Sequence, residues 1–218
     1  MTIQNEPLYL WLMCNLFSVT TSREAMRQLF KIRKHRDAAG DVPTPPQVRP
    51  DDLSMVVTTD AEGERCLEAM RWGFPFHDGS LTINVRRPEK PFWQPYLGAA
   101  SRCLVPVSRF AEFAGSGPKQ AHWYGLNDER PFAFAGIWRS WEGVRKGQAG
   151  QHRVFAFLTT DANRLVAKAH PNAMPVLLTE QDWDVWLRAP AEQALALQRP
   201  LDPDLMFEVA PRQASFGF

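Results

Sequence analysis

The chain is poor in the features that most often announce a chemistry. Its 218 residues hold three cysteines, at positions 14, 66 and 103, which form neither a Cys-x-x-Cys pair nor an even set. That count argues against a disulfide framework and a structural zinc site, and unpaired thiols fit a reducing compartment. Neither sign of charge dominates: 25 Lys plus Arg face 24 Asp plus Glu. Binding to a polyanion would have to come from local clustering rather than from a basic whole. No GxGxxG and no phosphate-binding loop occurs, and β-α-β alternation is missing, so no nucleotide cofactor is expected, nor any other cofactor or metal. The apolar run inside MTIQNEPLYLWL at the start has no basic residues before it and is too short to span a bilayer, so neither a signal peptide nor a membrane span is expected. Repeats, low-complexity tracts and coiled-coil heptads are also missing, and a monomer is the expectation.

With 44% hydrophobic and 22% charged residues, the chain reads as one globular domain. Residues 14–210 are expected to form it, with 211–218 as a tail and 1–13 as an extension that is dispensable or removed. Thr21 and Glu24 make a capping box, and Ala25, Leu29, Phe30 and Ile32 recur at helical spacing, which predicts a helix to about His35. GDVPTPPQVRP at 40–50 reads as an extended surface loop. Leu53–Thr59 and Arg65–Trp72 flank a turn at 60–63 and read as a hairpin. Strand patterns continue over 102–113, 122–126, 132–141 and 153–160. A short helix is predicted over 161–169, a brief strand over 174–178, and then a helix capped by Thr179 and Asp182 that carries Trp183, Trp186 and Leu187. Helices at the two ends with many short strands between them give an α+β class: a single domain built on a strongly curved, mostly antiparallel sheet, a pseudo-barrel with peripheral helices.

The residue with the most chemical content is Cys14, in Met13-Cys14-Asn15-Leu16-Phe17. A protein initiated at Met13, or cut before Cys14, begins with cysteine. Such a residue carries an α-amine (pKa about 7.7–8.0) and a thiol (about 8.5) on adjacent carbons, and together they can close on an aldehyde as a thiazolidine ring. The plain alternative is an incidental buried cysteine near a chain start.

Five segments bear on that choice: MCNLF at 13–17, MRWG at 70–73, INVRR at 83–87, RCLVPVSRFAEF at 102–113 and AHPNAMPVLL at 169–178. In this order, with FAFAGIW at 132–138 and FLTTDAN at 157–163, the chain resembles the SRAP (SOS response-associated peptidase) family from Met13 to about Met206. The resemblance implies covalent attachment to abasic sites in single-stranded DNA through the exposed cysteine. It further implies Cys14 as nucleophile, Asn84 as the active-site asparagine, Glu112 as its glutamate and His170 as its histidine, with autoproteolytic and lyase activity as companions. The chain departs from the common pattern in having Asn15-Leu16 after the cysteine in place of Gly-Arg, Arg87 where an acidic residue is usual, and one extra residue between His170 and Met174-Pro175.

Chemically the set makes sense. Glu112 is expected to protonate the sugar oxygen and His170 to manage the amine or imine proton, while Asn84, which cannot titrate, positions Cys14 or holds developing charge. Arg86 and Arg87 are expected to contact phosphate and Trp72 to stack on a base or wall the pocket. Trp138, Trp183 and Trp186 are assigned to the core, and Cys66 and Cys103 are read as small buried hydrophobes. Cytoplasmic, nucleoid-associated localisation follows as an expectation. Two other readings use the same residues: a thiol peptidase built on Cys14 and His170, and a non-catalytic module that binds single-stranded DNA through Trp72 and the arginines.

Overall fold

A computed structural model describes residues 14–42, 45–76, 80–114 and 120–209; the expected extension and tail lie outside them. The chain opens with β1 (Leu16–Ser18), α1 (Arg23–Leu29) and β2 (Gln47–Val48), followed by β3 (Leu53–Thr59) and β4 (Arg65–Trp72). The β3–β4 hairpin forms as its sequence predicts. Asp60 accepts from the backbone N–H of Glu62 and Glu64 at 3.0 and 2.8 Å, and Gly63 takes the positive φ (+77°) that the turn needs. Short strands β5 (Phe74–Pro75), β6 (Leu81–Thr82) and β7 (Asn84–Val85) come next. Then follow β8 (Arg102–Val107), β9 (Arg109–Ala114), β10 (Gln120–Leu126), β11 (Phe132–Arg145) and β12 (Gln148–Thr160).

Five of these strands close on themselves in the order β12-β4-β3-β8-β11 and back to β12. All neighbours are antiparallel except β4 and β12, which run parallel with Phe155 beside Trp72. Closure leaves no exposed edge on this barrel, and alternation sends every second side chain inward. Phe17, Trp72, Phe134, Phe155 and Phe157 are fully buried there, with ring centroids 5.2 Å apart for Phe17–Trp72 and 4.6 Å for Phe134–Phe157. At Gly136 on β11 the wall closes tightly on β8: a Cβ there would stand 2.7 Å from Cys103 Sγ.

A second sheet lies alongside, ordered β15-β10-β9-β1-β2, where β15 is Met206–Val209. It is tied to the barrel interior through Phe17 of β1 and Phe110 of β9, both against Phe134. After β12 come β13 (Met174–Pro175), β14 (Leu177–Leu178), α2 (Glu180–Arg188) and α3 (Ala191–Leu195). The capping box of Thr179 and Asp182 starts α2 as expected, and Trp183 and Trp186 are buried beneath it, the latter donating to Cys103 O at 2.9 Å. This is the α+β pseudo-barrel read from the sequence.

Several local readings need correction. Ser22, not Thr21, caps α1 by accepting from Ala25 N–H, and the helix stops at Leu29 because Lys31 adopts φ +55°; only a single 3-10 turn, Lys34–Arg36, follows. The predicted helix at 161–169 is a turn closed by Asn163, whose side chain accepts from Leu165 and Val166 N–H, with a 3-10 turn at Val166–Lys168. The stretch 40–50 contains β2, which pairs with β1. Strands predicted as single break at Ser108 and Val176. Trp138 is only partly buried and lies under the Arg153 guanidinium, and Cys66 is partly exposed. No described helix is long and apolar enough to cross a membrane.

Candidate active site

Four residues far apart in sequence meet where the barrel abuts the second sheet. Cys14 lies two residues before β1, whose pairing with β9 (Leu16 opposite Ala111, Phe17 opposite Phe110) brings it to the strand that carries Glu112. From the barrel side, β7 runs parallel to β12 with Asn84 beside Phe157, and Asn84 Nδ2 donates to the Cys14 carbonyl at 3.1 Å. His170 follows the 3-10 turn after β12, its backbone N–H bonded to Val166 O. Its Nδ1 lies 3.6 Å from Glu112 Oε2. None of the four is more than 9% exposed.

The tautomer of His170 follows from its partner. Nδ1 sits 2.9 Å from Ala173 O, and a carbonyl oxygen can only accept, so Nδ1 carries the hydrogen. In the neutral ring Nε2 is then the free base. It is buried without a partner in the protein, as are Glu112 Oε1 and Asn84 Oδ1. Each such atom costs about 1–3 kcal/mol unless something bonds it, and three in one place mark a site arranged for polar atoms of a ligand.

Burial also sets the proton inventory. Desolvation raises the Glu112 carboxyl from 4.5 to about 8, with a hydrogen bond from the Cys14 thiol pulling the other way. At neutral pH the group is therefore mostly a neutral acid. The Cys14 thiol is held well above its ordinary value, first by burial and then by the nearby Glu112; its other neighbours are the carbonyls of Ala111 at 3.6 Å and Leu16 at 3.9 Å. Among the described residues no cluster of His, Cys, Asp and Glu could hold a metal ion.

The residues expected to touch DNA are placed unevenly. Arg86 and Arg87 follow β7 directly and are exposed, with Arg86 paired to Asp161. Trp72 is wholly buried. Its indole N–H donates to Ile83 O at 3.0 Å and its ring lies against Phe17 and Phe157, so it serves as wall beneath the site and offers no face to a base. Arg102 is buried over Trp186, and Arg109 alternates with Glu112 to the other side of β9, over Phe207. A hollow of about 870 Å³ over β1, β9, β10 and β15 holds none of the four converging residues. Sequence reading passed over Tyr124, a buried tyrosine whose hydroxyl has no partner and is raised by burial, then by Glu208 and Glu112. Its strand alternates like any core strand, so nothing local singled it out.

In overall shape the chain is similar to a crystal structure of a protein from Bordetella bronchiseptica, with a TM-score of 0.76 at 20% identity over 92% of this chain and 100% of that one. A protein from Bacteroides thetaiotaomicron gives 0.70 at 22% identity, covering 89% of this chain and 90% of the other. A phage-related protein from Bordetella bronchiseptica gives 0.70 at 20%, covering 92% and 95%. These likenesses establish the fold. Comparison with curated proteins gives no match. Residues 13–212 match the model of SRAP, the SOS response associated peptidases, and over nearly its whole length this chain belongs to that family.

Proposed function

We propose that the protein captures abasic sites in single-stranded DNA by closing a thiazolidine between the aldehyde carbon of the ring-opened sugar and the amine and thiol of an N-terminal Cys14. The observation that carries this reading is the convergence of Cys14, Asn84, Glu112 and His170, with a hydrogen bond anchoring the Cys14 carbonyl and a protonated carboxyl beside the thiol. The amine attacks the aldehyde carbon, and His170 Nε2 takes the proton from nitrogen and returns it to the oxygen. Glu112 then protonates the hydroxyl, which leaves as water while the C=N bond forms. The sulfur adds to that carbon, its proton passes to the Glu112 carboxylate, and the C=N electrons return to nitrogen. One water is lost and Glu112 ends as it began. Arg86 and Arg87, beside Asn84 in sequence, are assigned to the phosphates.

This chemistry needs a free amine on Cys14, reached by initiation at Met13 with removal of the methionine or by cleavage before Cys14. A thiol peptidase would need a thiolate, and the buried thiol beside a carboxyl is pushed away from that form. The test combines an oligonucleotide bearing one abasic site with two forms of the protein, one starting at Met1 and one at Met13, read by denaturing gel and intact mass. A crosslink confined to protein with Cys14 at its terminus is expected. A verified Cys14 terminus that yields none refutes the reading. Cys14→Ser keeps an amine and is expected to form only an imine that borohydride traps and that nicks the strand by β-elimination.

A further inference from the structure

The hydroxyl of Tyr124 is a buried polar group on the same sheet face as Glu112 that the chemistry above leaves unused. Tyr124 is fully buried with its ring against Phe110 at 5.4 Å, and its oxygen has no partner in the protein. Directly opposed residues on antiparallel strands project from the same face. The registers His122 opposite Glu112, Tyr124 opposite Phe110, and Tyr124 opposite Glu208 therefore set Glu112, His122, Tyr124 and Glu208 on one face of β9, β10 and β15. Within this set His122, directly opposite Glu112, has its Nδ1 2.6 Å from Glu208 Oε1, and both side chains are partly exposed. Glu112 in turn takes a hydrogen bond from the Cys14 thiol and lies 3.6 Å from His170 Nδ1.

We propose that Tyr124 is a positioning residue for Glu112: its O–H donates to the Glu112 carboxylate during the interval in which that group has given up its proton, and the His122–Glu208 pair connects this interior step to solvent. This rests on the reading of Glu112 as the acid of the preceding section. The hydroxyl has a single proton to donate and two carboxylates within its field, Glu112 and Glu208. His122 satisfies Glu208 from the other side and leaves the tyrosine proton for Glu112. Of the groups around Glu112, the Cys14 thiol also donates to it, His170 Nδ1–H is bonded to Ala173 O, one Asn84 Nδ2–H is bonded to Cys14 O, and His122, directly opposite Glu112, has its Nδ1 on Glu208.

The experiment is a direct titration of the Glu112 carboxyl by carbon-13 NMR, assigned with Glu112→Gln, in the wild type, Tyr124→Phe, Glu208→Gln and the double variant. No DNA is needed, so the outcome stands whether or not the protein crosslinks abasic sites. Tyr124→Phe keeps the ring and is expected to raise the Glu112 titration above about 8 by about one pH unit, a tenfold change in the protonation equilibrium. Glu208→Gln is expected to lower it, and by less when Tyr124 is already Phe, because the freed hydroxyl mediates part of that effect. An unmoved titration in a Tyr124→Phe protein that melts as a folded domain overturns the assignment, as does a Glu208→Gln effect of equal size in both backgrounds. Tyr124→Phe is also expected to slow crosslinking about tenfold with a shifted pH profile; loss of crosslinking in the wild type would count against the function proposed above and leave the titration result intact.

Discussion

Replacing Glu112 by Gln isolates the energetic consequence of keeping a carboxyl in a dry site. In the folded protein the group releases its proton near pH 8, against 4.5 when solvated. Below pH 4.5 it is protonated in both states and contributes nothing. As pH rises from 4.5 to 8 the unfolded chain releases the proton while the folded chain keeps it, so stability falls; above 8 both are ionised and the loss is complete. At 1.36 kcal/mol per pH unit the full loss is roughly 5 kcal/mol. Gln is nearly isosteric and does not titrate. Denaturant unfolding of both proteins from pH 4 to 8.5 is therefore expected to show the wild type losing several kcal/mol relative to Glu112→Gln across that window, while groups common to both cancel. Curves that stay parallel from pH 4.5 to 8 refute the assignment of a buried, neutral carboxyl at this position. A wild type that gains relative stability as pH rises would refute it more sharply, since that sign belongs to an ionised, paired carboxylate.

Asn84→Ala removes the donor that holds the Cys14 carbonyl. The expected result is about 1 kcal/mol of lost stability and a crosslinking rate lower by about tenfold in single-turnover gels; Asn84→Asp, which sets a charge where a donor stood, is expected to be at least as slow. Arg86→Ala and Arg87→Ala are each expected to reduce the salt dependence of single-stranded DNA binding by a slope of about 0.7, measured by anisotropy with Cys14→Ser. The Arg86 effect is expected to be the smaller, because Asp161 already neutralises it. Gly136→Ala forces a Cβ to 2.7 Å from Cys103 Sγ and 2.9 Å from Val105 Cγ2 and is expected to lower the free energy of denaturant unfolding by about 1–3 kcal/mol without changing the titration of Glu112.

What could be read from the sequence was local. The β3–β4 hairpin announces itself because Asp60 and Gly63 build its turn, and α2 because Thr179 and Asp182 close its first turn on themselves. Where a distant partner decides, local pattern fails. The apolar spacing through Ile32 is helical, yet Lys31 turns into the left-handed region and ends α1. The pattern at 161–169 is helical too, but the Asn163 side chain takes the first amides and holds a turn. Trp72 looked available for a base because nothing nearby covers it. Phe157, far along the chain on β12, does so only once β4 and β12 pair in parallel. For the site, the residue types were legible and their state was not: the neutral Glu112, the Nδ1–H tautomer of His170 and the presence of Tyr124 all depend on strand register and burial.

That register explains why Cys14 needs both sheets. β1 is three residues long, too little for pairing alone to hold Cys14, two residues before it, in place. Two independent restraints do so. Pairing with β9 fixes Cys14 to the strand of Glu112, while Asn84, delivered by β7 along β12, fixes its carbonyl to the barrel. The joint between them is Phe17, fully buried in β1 and in ring contact with Trp72, Phe134 and Phe157. A buried ring of this kind covers about 150–250 Å², or about 4–6 kcal/mol at 25 cal/mol per Å². That is comparable to the cost of the three unpartnered polar atoms at the site. The dense aromatic interior is thus what allows unsatisfied donors and acceptors to stand ready beside Cys14, and the same packing that hides Trp72 from DNA holds the groups proposed to act on it.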